Sequence, residues 1–88
     1  MGPTEQASSL TIDQAFGQVL RSLRLQRGLS QETLGHQSHS GRTFVSQLER
    51  GERGASLKTI FALAPTLGTT PAEMIRLVEA ELAGPDPS

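Results

Sequence analysis

Apolar residues recur along this chain at spacings of three and four, and no segment alternates convincingly enough for a strand, so the pattern reads as helices. Ile12, Ala15, Phe16, Val19, Leu20 and Leu23 form the first stripe. It opens on Thr11-Ile-Asp-Gln, a capping box with Thr11 as N-cap and Gln14 reaching back, and ends at Gly28. A second helix of about two turns starts after Ser30 and is weakened by Gly35. A third runs from about Arg42 to Arg50, with Phe44, Val45 and Leu48 facing inward and Gly51 closing it. The fourth follows Ser56, places Leu57, Ile60, Phe61, Leu63, Ala64 and Leu67 inside, and ends at Gly68. Pro65 lacks an N–H and clashes with the Phe61 carbonyl, which predicts a kink or an early stop. Thr70-Pro-Ala-Glu combines an N-cap, a first-turn proline and an acidic third residue, and starts a fifth helix reaching about Ala83. Met74, Ile75 and Val78 should close the core, while Leu77 and Leu82 continue beyond it.

The pattern therefore predicts an all-α, five-helix domain over residues 10–83. The small, polar residues 1–9 read as a disordered leader and the Gly-Pro-Asp-Pro-Ser stretch at 84–88 as a disordered tail. A chain of 88 residues builds one small core. With no cysteine there is neither a disulfide framework nor a thiolate metal site. The longest apolar run, Phe61 to Ala64, is far too short to span a bilayer, and the N-terminus lacks the basic and apolar regions of a secretory signal. We expect no membrane partner and a cytoplasmic location.

A net charge of −1 argues at first against a nucleic-acid partner, but the charge is unevenly spread. From Gln18 to Lys58 the chain carries seven positive and three negative residues, a balance of +4. The segments on either side carry −2 and −3. Seven of the eight basic residues are Arg, whose guanidinium suits bidentate contact with phosphate and guanine. The competing reading of such a block is solvated helix faces. The third helix bears on the choice without deciding it, since any amphipathic helix has a polar face: with Val45 and Leu48 inward, Arg42, Thr43, Ser46 and Gln47 fall on the opposite face. Arg pairs with guanine through two donors, and Gln with adenine through a donor and an acceptor. Two short helices a few residues apart, the second so equipped, suggest a helix-turn-helix arrangement.

The wording of residues 16 to 68 carries the specific signal. Phe16-Gly-Gln-Val-Leu-Arg-Ser-Leu-Arg-Leu-Gln-Arg-Gly-Leu-Ser-Gln-Glu-Thr-Leu, then Arg42-Thr-Phe-Val-Ser-Gln-Leu-Glu-Arg-Gly, then Ser56-Leu-Lys-Thr-Ile resembles the Cro/CI-type (XRE-like) helix-turn-helix family. Arg42-Thr-Phe-Val-Ser also resembles the controller proteins of restriction–modification systems, small dimeric members of that family. The resemblance implies a Cro/CI repressor-like fold that binds double-stranded DNA as a transcriptional regulator. It assigns base reading to Gln31, Arg42, Thr43 and Gln47, with Ser46 beside them, and backbone contact to Arg50 and Arg53. Ser30 and the amides of the second helix add a phosphate site at its N-terminus. Arg24 and Glu49 match a structural salt bridge between the first helix and the recognition helix. One such module contacts few bases, so we expect a homodimer on a palindromic operator, with Leu77, Val78 and Leu82 in the seam.

The chain departs from the family at His39, Ser40 and Gly41, where a Gly, an apolar plug and a capping Ser, Thr or Asp are usual. The turn there is therefore expected to be looser or to hydrogen-bond differently. Phe44, where controller proteins commonly have Tyr, cannot donate to phosphate, and either packs or touches a thymine methyl. His36 and His39 lack carboxylates at ligand spacing and read as surface residues, not a metal site. No nucleophile elbow, paired-carboxylate motif or Gly-rich phosphate loop is present, so no catalytic residue or cofactor is expected. The competing function is a protein-interaction module of the same fold, antitoxin-like or polymerase-recruiting, that engages a protein partner; a small enzyme ranks last.

Overall fold

The computed structural model describes residues 10–84, so the leader and the tail from residue 85 onward lie outside the described residues. Five helices follow one another: α1 (Ile12–Gln26), α2 (Gln31–Gln37), α3 (Arg42–Glu49), α4 (Leu57–Thr66) and α5 (Pro71–Ala83). No strand occurs among the described residues. Four helices begin on the caps that the sequence marks. Thr11, Ser30, Ser56 and Thr70 each accept the backbone N–H three residues on, and Thr11 and Gln14 complete their capping box in both directions. α3 begins on Gly41, which has φ +88° and no side-chain cap.

The core is one cluster. Phe16, Val19 and Leu20 of α1 meet Leu34 of α2, Val45 and Leu48 of α3, Ile60, Leu63 and Leu67 around α4, and Met74 and Val78 of α5. Four residues expected inside are not. Ile12, Leu57 and Phe61 are 68%, 70% and 64% exposed, and Ile75 is 41% exposed. Ile12 and Leu57 occupy the first positions of their helices, beyond the edge of the core. Phe61 and Ile75 each follow a buried residue directly, Ile60 and Met74, and one residue turns a helix by about 100°, off the buried stripe. α4 runs through Pro65 and stops one residue later, at Thr66. The missing N–H falls in the last turn, and the amide of Leu67, two residues on, donates to the Leu63 and Ala64 carbonyls.

Two glycines inside helices set how the first three helices fit. A Cβ on Gly17 of α1 would lie 2.4 Å from the Leu48 carbonyl oxygen and 2.7 Å from that of Glu49, so α1 touches the last turn of α3 backbone to backbone. A Cβ on Gly35 of α2 would lie 2.4 Å from the carbonyl carbon of Gly41 and 2.6 Å from the amide nitrogen of Arg42. The start of α3 therefore sits against α2 at a distance that only glycine permits.

Candidate nucleic-acid interface

The turn between α2 and α3 is built on His39, Ser40 and Gly41. His39 adopts φ +61°, the left-handed conformation that a glycine takes without strain. The amides of Ser40 and Gly41 both donate to the Gly35 carbonyl, at 2.9 and 3.0 Å. In place of an apolar plug there is a hydroxyl pair. Buried Ser38 donates from Oγ to the Leu34 carbonyl at 2.7 Å, and its Oγ lies 3.1 Å from the Oγ of half-buried Ser40. The turn thus hydrogen-bonds differently, with every described buried side-chain polar atom satisfied.

α3 divides as its spacing requires. Val45 and Leu48 are fully buried; Arg42 and Thr43 are exposed, and Ser46 and Gln47 are half-exposed. Phe44 is half-buried against the core, with the Arg53 guanidinium over its ring at 5.1 Å. Of the two readings for Phe44, packing is the one the fold uses. Arg53 also donates from Nη1 to Gln47 Oε1 at 3.4 Å. Arg50 donates to the Ser46 hydroxyl and forms a two-pronged pair with Glu52, at 2.8 and 3.1 Å. Glu52 raises the Arg50 pKa, chiefly through its hydrogen bonds, and Arg50 lowers that of Glu52 in the same way.

Behind this face lies one buried ion pair. Arg24 donates from Nε to Glu49 Oε2 at 2.6 Å and from Nη2 to Oε1 at 3.0 Å; its Nη1 reaches the Leu29 carbonyl at 2.8 Å. The two side chains are 8% and 3% exposed. The hydrogen bonds to Glu49 raise the Arg24 pKa against the opposing effect of burial. Gln31 joins the pair, donating from Nε2 to Glu49 Oε1 at 3.0 Å. α1, α2 and α3 are thereby joined at the Glu49 carboxylate, and the loop before α2 is tied in through Arg24. The Gln31 link was not read from the sequence, because the partners are 18 positions apart and nothing local marks them.

The other expected positions separate. Ser30 is exposed at the start of α2, its Oγ capping Thr33. Leu77 is partly buried and Val78 only 7% exposed, so Val78 belongs to the core of a single chain, whereas Leu82 is 40% exposed. His36 and His39 are exposed. No helix among the described residues is long and apolar enough to cross a membrane.

Residues 20–74, which hold the turn, α3 and the residues that anchor them, match the model of the helix-turn-helix family. This chain belongs to that family. The control protein C.BamHI of Bacillus amyloliquefaciens is 38% identical over 61 residues, which cover 68% of this chain and 75% of that protein. The restriction–modification controller protein C.AhdI of Aeromonas hydrophila is 47% identical and superposes with a TM-score of 0.68 over 70% of this chain and 94% of its own. The clp gene regulator ClgR of Corynebacterium glutamicum, 25% identical, superposes with a TM-score of 0.80 over 85% of this chain and 80% of its own. The narrower resemblance to controller proteins therefore holds alongside the broader one.

Proposed function

We propose that this chain is a cytoplasmic, sequence-specific regulator of transcription that occupies a palindromic operator as a homodimer. The observation that carries the reading is α3. Its apolar side is sunk in the core, its backbone touches α1 at Gly17 and α2 at Gly35, and its outer side offers Arg42, Thr43, Ser46 and Gln47 to solvent. A rigidly seated helix with short polar and Arg side chains outward is suited to the major groove. In this reading Arg42, Thr43 and Gln47 contact bases with Ser46 beside them, Gln31 reaches DNA from the start of α2, and Ser30, Arg50 and Arg53 hold phosphates. In this reading the chemistry is binding, not catalysis, which the helix-turn-helix match and the similarity to the clp gene regulator ClgR support.

The exposed apolar surface supports the dimer. Of the six large exposed apolar side chains among the described residues, four lie on the last two helices: Leu57 and Phe61 on α4, one turn apart, and Ile75 and Leu82 on α5, two turns apart. Leu82 stays in the proposed seam beside Leu77, whereas Val78 contributes from beneath. A symmetric dimer places two α3 helices about 34 Å apart, one turn of DNA. Selection from randomised duplex DNA, with light scattering at micromolar concentration, tests both parts. Enrichment of a palindrome by a dimer is the expected result. A clean monomer refutes the seam, and no enrichment favours the protein-interaction module.

A further inference from the structure

Glu49 forms an ion pair with Arg24, and its Oε1 accepts from two donors on two elements, Arg24 Nη2 and Gln31 Nε2, both at 3.0 Å. A carboxylate paired with a guanidinium can accept hydrogen bonds but has none to give. The Gln31 amide must therefore turn its nitrogen, not its oxygen, toward Glu49. One Nε2–H is committed, and the second Nε2–H and Oε1 stay available at the half-exposed start of α2. The Glu49 side chain is 3% exposed and already gripped at both oxygens by Arg24, so its position is fixed independently of Gln31.

We propose that Glu49 is a positioning residue for DNA contact. By holding one Gln31 amide proton it presents the other amide proton and the amide oxygen to DNA in a single orientation. The ion pair that fastens α1 to α3 thereby also sets the reach of a side chain on α2. A glutamine free in solvent gives up the motion of its side-chain torsions when it binds; one held in advance gives up less, and the difference appears as affinity. This proposal rests on the DNA-binding reading above.

The test separates the two. Gln31→Met removes the amide and keeps the length of the side chain. Glu49→Asp keeps the charge for Arg24 but shortens the carboxylate by one methylene, drawing Oε1 away from Gln31. Thermal midpoints of these variants and of the double variant establish that each is folded at the assay temperature. In DNA-free, 15N-labelled wild type, the Gln31 side-chain amide should show one proton shifted downfield and slow to exchange, and Glu49→Asp should abolish that signature. Against the selected operator, Gln31→Met should bind about tenfold more weakly, the effect of one lost polar contact, and Glu49→Asp should bind more weakly by up to about the same factor, the effect of the lost orientation. The double variant should bind no worse than Gln31→Met. Free averaging of the Gln31 signals in the wild type, or losses that multiply in the double variant, overturns the positioning role while leaving the regulator reading intact. Failure of the wild type to enrich any DNA overturns the regulator reading, and the DNA part of this proposal with it.

Discussion

Gly17→Ala adds one methyl group at the crossing of α1 and α3. The new Cβ would stand 2.4 Å from the Leu48 carbonyl oxygen and 2.7 Å from that of Glu49, whereas ordinary contact begins near 3.4 Å. Both obstacles are backbone, so no side-chain rotation relieves them and the helices must separate by roughly 1 Å, in a core packed to the density of a crystal. Overpacking of this kind typically costs about 1–3 kcal/mol, and more where the surroundings cannot yield. Alanine recovers about 1 kcal/mol through its better helix propensity. Rigid backbone on the far side places the clash at the upper end, so the net loss should be about 2 kcal/mol. For a domain of this size each kcal/mol moves the thermal midpoint by about 4–8 °C, which predicts a fall of about 8–16 °C. Far-UV circular dichroism during a thermal scan measures it, with Gln18→Ala as the control for propensity on the exposed side of the same helix. An unchanged or raised midpoint for Gly17→Ala would refute the close crossing. Below the melting range the same variant should bind operator more weakly, because the displaced element is α3.

Four further outcomes follow from the geometry. Arg42→Ala should cost roughly 1–3 kcal/mol on the operator and relax one base position; equal losses on operator and random DNA would contradict base reading. Arg24→Ala strands the Glu49 carboxylate and should cost about 3–5 kcal/mol in a denaturant titration, whereas Arg24→Met with Glu49→Leu should recover much of it; a double variant no better than the single one argues against a stranded charge. His39→Gly relieves a left-handed conformation worth about 1 kcal/mol and should raise the thermal midpoint, a rise that would be missing if the turn adopted another backbone. Glu52 holds Arg50 with its carboxyl pKa lowered, so their pairing persists at neutral pH and is lost as pH falls through that lowered value. Glu52→Gln at neutral pH should therefore free Arg50 and strengthen binding to all duplexes with a salt slope steeper by up to about one unit; sequence-restricted strengthening would count against a backbone role for Arg50.

What could be read in advance was local. The caps at Thr11, Ser30, Ser56 and Thr70 depend on residues three positions apart, and each forms as the sequence marks it. The burial of Val45 and Leu48 likewise depends on spacing within one helix, and the Arg24–Glu49 pair came through the family resemblance. The readings that failed concern where a stripe meets the core. Ile12, Leu57, Phe61 and Ile75 are as apolar as their buried neighbours, and their exposure is decided by the position of other helices. The close approaches at Gly17 and Gly35 also depend on crossings between helices. Yet each of these glycines left a trace, because a glycine inside a helix weakens it by about 0.5–1 kcal/mol relative to alanine. Gly35 was read as that weakness alone, and the close approach of α3 supplies its reason. The Gln31–Glu49 and Arg53–Phe44 contacts left no such trace.

The pairings also change what the charge distribution means. Two of the three acidic residues in the basic central block, Glu49 and Glu52, are engaged with Arg24 and Arg50. The first pair is buried and offers DNA no field of its own. The second is exposed, and its cation must leave a carboxylate before it serves a phosphate. Of the basic side chains on α3 and in the loop after it, Arg42 and Arg53 form no ion pair among the described residues, and Arg53 is already laid over Phe44 and bonded to Gln47. Arg24, Arg50 and Arg53 are thus fixed in place by neighbours on the same or an adjoining element, while Arg42 stands exposed at the start of α3. Non-specific affinity scales with phosphates neutralised, whereas discrimination scales with how rigidly donors are aimed at base edges. A chain of net charge −1, with Arg50 and Arg53 already engaged beside α3, should bind random DNA weakly and depend on the fit of two copies to one operator for most of its affinity.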